Sequence, residues 1–315
     1  MSDNEEKRLF MDEVIAGLSA TPATLPCKYL YDAKGSELFE AICATSDYYV
    51  TRADLALHEA HIDEISRRIG PNAHIIEFGS GAGVKTHTLL AGLDHPRAYT
   101  PIEISSSALE ASVRELEAAF PAIDIRPLQA DYTQQIDARF LALDPPANRR
   151  IVYFPGSTIG NFERDEAREF LKRMRNIAGH DGALLIGVDL LKPVERLLSA
   201  YDDQDNLTAR FNLNLLEHIQ RVLKADIQID AFRHEARFNP TLSRVEMHLV
   251  ATRPTTIDLN GRTFEFDTGQ SIHTENSHKY SIDSFRQLAA EAGLDSSQAW
   301  TDPQGLFSMH WLESA

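Results

Sequence analysis

The chain reads as an α/β protein: a doubly wound, mostly parallel sheet carrying a second, smaller α+β domain. Three observations predict this. The run His74-Ile75-Ile76-Glu77-Phe78 is apolar and ends at Gly79-Ser80-Gly81-Ala82-Gly83. A second apolar run, Ala98-Tyr99-Thr100-Pro101-Ile102, ends in Glu103 about twenty residues on. Strand-like and helix-like segments then alternate as far as Leu191. Runs without polar alternation suit strands buried on both faces, and strand–helix alternation implies parallel crossovers.

In order, helical periodicity covers Arg8 to Leu18, and Thr21 to Pro26 is an extended link. Asp32 to Ser36 reads as a turn, with Ser36 capping a helix that begins at Glu37. A helix from Arg52 to Arg68 leads into the first strand, near Ile75. Helices at 85–92, 106–118 and 164–178 alternate with strands near Tyr99, near Ile125, at 150–154 and at 183–188. Helical segments follow at 194–200 and 208–223, then strands at 231–238, 245–252 and 263–266. A helix at 282–292 and two closing strands, near 298–301 and 306–312, end the chain. The expected division is 56–195 plus 281–315 for the sheet domain and 1–55 plus 196–280 for the second domain.

Composition narrows the function. The 315 residues are 43% hydrophobic and 25% charged, ordinary values for a soluble globular chain. The net charge of −16, from 47 acids against 31 Lys plus Arg, argues against nucleic acid or an anionic membrane as partner. A small neutral or cationic substrate suits it better. Cys27 and Cys43 lack metal-ligand spacing and read as reduced, buried thiols. No apolar run is long enough to span a membrane, and the acidic start lacks a signal-peptide pattern. A cytoplasmic monomer is expected.

The glycine-rich turn points to a nucleoside-bearing cofactor. Glycines let the backbone turn tightly and approach a ligand, and an acid ending the next strand, Glu103, accepts ribose hydroxyls. The spacing is G-x-G-x-G, not the G-x-G-x-x-G of dinucleotide sites, and Glu77 precedes it. An acid there repels a pyrophosphate and suits a cofactor with a cationic end, such as S-adenosylmethionine (SAM). This argues against an NAD-dependent oxidoreductase. The pattern resembles motif I of class I SAM-dependent methyltransferases, which have a Rossmann-like sheet. The segment Gln129-Ala130-Asp131-Tyr132 resembles the place where that class holds adenine.

Four further segments carry a narrower resemblance. They are Lys28–Asp32 with Gly35–Phe39, Asp47–Arg52, Phe154–Phe162 and Thr274–Tyr280. With the glycine turn, they resemble the histidine-specific N-alpha-methyltransferases of ergothioneine biosynthesis over nearly the whole chain. That resemblance implies three successive methylations of L-histidine to hercynine. It implies that Asn161 and Tyr201 hold the substrate carboxylate, and that Tyr31, the catalytic candidate, and the backbone of Gly156 lie near the α-amino group. Tyr48, Glu275 and Ser277 would read the imidazole, and Met247 would line its pocket. Gly79, Lys85, Glu103, Asp131 and Tyr132 are the matching cofactor positions, joined by Glu77 and Gly81 of the turn, with Tyr48 also near the cofactor. The ribose acid of this family is commonly Asp, so Glu103 is a departure that shifts geometry without removing the function.

Taken singly, several of these residues have plainer readings. Asn161 suits a helix cap, Met247 suits core packing, and Asp189 with Lys192 suits a surface pair. His273 and His278 flank Glu275, but no third defined ligand accompanies them, and no metal is expected. Two alternative functions remain: N-methylation of another aromatic amino acid, and a non-catalytic SAM-binding regulator. Methyl transfer to an amine needs alignment and exclusion of water more than a strong base, so no general base is nominated.

Overall fold

The computed structural model describes residues 3–80, 83–104, 106–132, 134 and 136–315. In chain order the helices and strands are α1 (Asp3–Leu18), α2 (Ala33–Ala44), α3 (Tyr49–Ile69), β1 (Ala73–Phe78), α4 (Val84–Gly92), β2 (Ala98–Glu103) and α5 (Ser106–Ala119). Next come β3 (Asp124–Ile125), β4 (Leu128–Gln129), β5 (Arg149–Phe154), α6 (Arg164–Ala178), β6 (Ala183–Asp189), α7 (Val194–Tyr201) and α8 (Leu207–Leu223). The rest are β7 (Asp226–Ile227), β8 (Phe232–Asn239), β9 (Arg244–Ala251), β10 (Thr255–Leu259), β11 (Arg262–Phe266), β12 (Ser271–His278), α9 (Ile282–Glu291), β13 (Leu294–Thr301) and β14 (Phe307–Ser314).

The chain divides into two compact units. One comprises Val50–Leu191 with His278–Ala315, the other Met1–Tyr49 with Lys192–Ser277. The first holds the large sheet, ordered β13-β14-β6-β5-β1-β2-β3, with β4 also beside β2. Strands β1 to β6 pair in parallel, and β13 and β14 close the sheet antiparallel. Every residue of β1 and β6 is buried, as continuous apolar runs require when helices cover both faces. Helix α6 buries Phe170, Leu171 and Met174 on one stripe against this sheet. The order of crossovers reverses between β1 and β5, which places a ligand crevice at their carboxyl ends.

The second unit has two three-stranded sheets, β11-β10-β7 and β12-β9-β8, with α1, α2, α7 and α8. Strands β7 and β10 were not anticipated. β10 follows Pro254 and alternates buried and exposed positions over only five residues, the first two both Thr.

Three readings of the sequence need correction. Helix α2 begins at Ala33, and its cap is Asp32, whose carboxylate accepts the Gly35 N–H at 2.8 Å. Ser36 therefore lies inside the helix. Gly35 is a helical glycine where a β-carbon would strike the Leu30 carbonyl oxygen, not a turn residue. Cys27 and Cys43 are half-buried rather than buried. Among the described residues no helix is long and apolar enough to cross a membrane.

Candidate active site

The sheet unit brings the cofactor-side candidates to the carboxyl edges of β1, β2 and β4. Gly79 follows β1 with φ +69°, a conformation that favours glycine, and its N–H donates to the Ile102 carbonyl at 2.9 Å. A β-carbon there would lie 3.4 Å from the Tyr132 ring, so the bare backbone leaves room beside that aromatic face. Glu103 ends β2, with Oε1 accepting the Ile104 N–H at 2.8 Å. Its backbone carbonyl accepts the Ala130 N–H at 3.1 Å, one residue before Asp131, so the two acids end neighbouring strands. Lys85 stands in the first turn of α4. Gly81 lies outside the described residues.

Glu77 differs from its expected position. It is buried beneath the turn, and its Oε2 accepts from Thr86 Oγ1 and Tyr99 Oη, both at 2.6 Å. Burial pushes its carboxyl up to about 7 against the pull of these two donors and of Lys85. Glu77 ties β1 to α4 and β2 under the turn, whereas Glu103 and Asp131 lie at the strand ends. Ser80 Oγ, buried in the same turn, has no hydrogen-bond partner among the described residues. An orphaned hydroxyl beside a glycine that exposes its backbone, with acids at two strand ends, fits an adenosyl cofactor.

Gly156 follows β5 with φ +76°, and the short 3-10 turn Thr158–Asn161 comes next. Ser157 is also left-handed, and its hydroxyl accepts the Asp189 N–H at 2.8 Å. Gly160 packs on residue 278, where a β-carbon would lie 2.8 Å from the His278 carbonyl oxygen. The cap of α6 is Glu163, whose N–H the Glu166 side chain accepts at 3.0 Å, so Asn161 does not cap it. Asp189 is no surface residue either: it pairs with Lys279 at 2.6 Å, both side chains fully buried.

The second unit gathers the substrate-side candidates around β12. Glu275 and Ser277 alternate along one strand. Tyr31 Oη donates to Glu275 Oε1 at 3.2 Å, and the Tyr201 and Ser277 hydroxyls bond at 2.7 Å. Rings surround these pairs edge to face: Tyr31 with Phe39 and Phe211, Phe39 with Tyr48, and Tyr48 with Tyr201, at centroid distances of 5.3–6.1 Å. Met247 is buried on β9. Lys192, half-buried, donates to Tyr49 Oη at 2.6 Å and sits 4.4 Å from that ring's centroid.

A buried polar chain backs this cluster. Thr274 Oγ1 donates to Asn212 Oδ1 at 2.7 Å, Asn212 Nδ2 donates to His234 Nδ1 at 2.9 Å, and His234 Nε2 donates to the Tyr201 carbonyl at 2.8 Å. The carbonyl admits only a donor, which fixes the neutral tautomer; burial lowers the His234 pKa and favours that form. Glu246, His248 and His273 bring one ligand atom each within 4.8 Å. The two rings are near-parallel at 5.0 Å, and Glu246 is held by Arg244 at 2.7 Å and Asn239 at 3.0 Å. A metal bound by two imidazoles lies close to both ring planes, which near-parallel rings do not share.

A profile described as "Histidine-specific methyltransferase, SAM-dependent" matches residues 10–314. The chain belongs to this family. Among characterised relatives of this methyltransferase, the "Histidine N-alpha-methyltransferase" of Mycobacterium tuberculosis is 35% identical over 305 residues, covering 94% of this chain and 92% of that one. "Ergothioneine biosynthesis protein 1" of Neurospora crassa is 28% identical, covering 89% of this chain but 32% of the longer protein. Among solved structures, OxaC in complex with SAH and oxaline superposes with a TM-score of 0.50 at 14% identity, covering 91% of this chain and 53% of that one; this likeness concerns the fold.

Sequence reasoning missed Phe39, Phe211, Asn212 and His234. Phe39 lay within a recognised segment, and Phe211 with Asn212 sits in the helical pattern of α8, where an aromatic reads as core. His234 carried no signal beyond being a lone histidine in a strand pattern.

Proposed function

We propose that this methyltransferase moves three methyl groups in succession from S-adenosylmethionine to the α-amino nitrogen of L-histidine, giving hercynine. SAM supplies each methyl as a sulfonium-borne electrophile. The unit built on the large sheet is assigned the donor, through Gly79, Lys85, Glu103, Asp131 and Tyr132. The unit built on β12 is assigned recognition of the amino acid, through Tyr31, Tyr48, Tyr201, Met247, Glu275 and Ser277.

The observation that carries the reading is the pairing on β12. A buried carboxylate and a hydroxyl two residues apart are each already bonded to a tyrosine hydroxyl. An imidazole offers one N–H and one bare nitrogen. The carboxylate of Glu275 takes the first and the Ser277 hydroxyl serves the second. A ring without nitrogens leaves each protein group one hydrogen bond short, at about 1–3 kcal/mol each. The five aromatic rings supply faces that favour a quaternary ammonium, as the product requires. Tyr31 is assigned the amine: a neutral hydroxyl accepts from the ammonium without stabilising it as an anion would. An α-amino group needs only a modest downward shift to deprotonate near neutral pH. Asn161 and the Gly156 backbone are assigned to the substrate carboxylate and amine.

The name of the Neurospora relative supports a place on the route to ergothioneine. Mass spectrometry of L-histidine incubated with enzyme and SAM tests the proposal. Successive gains of one, two and three methyl groups are expected. No gain on histidine, with gain on another aromatic amino acid, replaces the substrate; no gain on either, with SAH bound, leaves the regulator reading.

A further inference from the structure

We propose that Asp54 is a positioning residue for methyl transfer: one buried carboxylate sets both the Lys85 ammonium and the Gly156 amide where the strand order reverses. This rests on the proposed function for the roles of Lys85 and Gly156.

Asp54 lies in α3 and its side chain is wholly inaccessible. Its Oδ2 accepts the Gly156 N–H at 2.8 Å and stands 3.4 Å from Lys85 Nζ. A β-carbon on Gly156 would lie 2.9 Å from the same Nζ, so ammonium, carboxylate and turn are in mutual contact. His58 flanks the other oxygen. Its Nδ1 lies 3.4 Å from Asp54 Oδ1 and donates to the Asp54 backbone carbonyl at 2.8 Å, which leaves Nε2 to accept from Tyr153 Oη at 2.7 Å. Oδ1 itself has no hydrogen-bond partner among the described residues.

A carboxylate buried at this desolvation cost with one oxygen unbonded is poorly explained by folding alone. It caps no helix and joins no strand pair. Two of its partners are positions that the transfer uses. Lys85 also sits in the first turn of α4, where the helix dipole disfavours a cation, so an opposing charge has to hold it there. Two consequences follow for the reaction. With its N–H engaged, Gly156 serves an amine only as an acceptor, through its carbonyl. With its charge compensated, Lys85 does not oppose a sulfonium brought up to the neutral amine that takes its methyl group.

Asp54→Asn keeps an oxygen for the Gly156 N–H and nearly the same shape but removes the charge. Parental protein is first titrated with SAH and assayed on histidine; failure there sinks the proposed function, not the role of Asp54 as such. The variant should then bind SAH at least about tenfold more weakly and lose kcat/KM to match, with its melting curve still cooperative. Lys85→Met should cost at least about threefold less in the Asp54→Asn background than in the parent, because the two side chains act as a unit. Parental SAH affinity and kcat/KM in Asp54→Asn, or strictly multiplicative losses, overturn the proposal. If Asp54→Asn does not fold, Lys85→Met carries the test from the pair's exposed end: weakened SAH binding supports the proposal, and unchanged binding and kcat overturn it.

Discussion

The proposed function makes Glu275 the residue on which selection of histidine turns. Its side chain is buried, at 8% residual exposure, and accepts from Tyr31 Oη. Replacing it with alanine removes the only carboxylate assigned to the ring. A hydrogen bond to a charged group is worth about 1.5–3 kcal/mol, so kcat/KM for histidine should fall roughly 10- to 150-fold. Loss of the Tyr31 bond adds little, because that tyrosine is half-buried and its hydroxyl can rehydrate. Glu275→Gln keeps an accepting oxygen and should fall between parent and alanine. Selectivity should move further than rate. In the parent, phenylalanine leaves the buried carboxylate one donor short; in Glu275→Ala that penalty is gone, so the histidine-to-phenylalanine ratio of kcat/KM should shrink. Steady-state assays with both amino acids, at saturating SAM, measure it. An alanine variant with the parental ratio would refute the reasoning, even if its absolute rate had dropped.

Three further outcomes follow from buried polar groups. The raised carboxyl of Glu77 gives a pH-dependent stability. Below about 4.5 both folded and unfolded states hold the proton; between there and about 7 only the folded state does, so the parent loses up to about 3 kcal/mol as pH rises through that window. Glu77→Gln should abolish that slope, and thermal melts from pH 4 to 8 showing the same slope in both proteins would contradict it. Lys279→Met withdraws the ammonium from the fully buried Asp189 and should cost about 3–5 kcal/mol in urea unfolding, with Asp189→Asn recovering much of it in the double variant. Asn212→Ala removes the donor to His234 Nδ1, at about 1–3 kcal/mol, while the Thr274 hydroxyl keeps the Met247 carbonyl at 3.1 Å; through the Tyr201 backbone it should raise KM for histidine more than KM for SAM, and an equal rise in both would count against that chain as a substrate-side device.

The sheet was legible because burial on both faces leaves a mark that needs no partner information. Ile75, Ile76 and Phe78 are apolar whichever way they point, and a glycine turn with an acid one strand away completes the pattern. The same feature misled at Glu77. When both faces of a strand are covered, an acid near its end faces another layer and not necessarily the ligand, and here it braces Thr86 and Tyr99.

The substrate-side strand was legible only through resemblance to known sequences, because Thr274 to His278 is polar at every position and no period distinguishes Glu275 from its neighbours. Asp54 marks where both routes stop. It sits in Thr51-Arg52-Ala53-Asp54-Leu55, which reads as a solvated turn of helix, and its burial arises from Lys85 and Gly156, 31 and 102 residues away. Residues that touch a ligand recur at short, recognisable spacings. Those that hold them in place, such as Asp54, Asn212 and His234, are polar groups whose partners are distant in sequence, and their burial is the property that separates them from an ordinary surface residue.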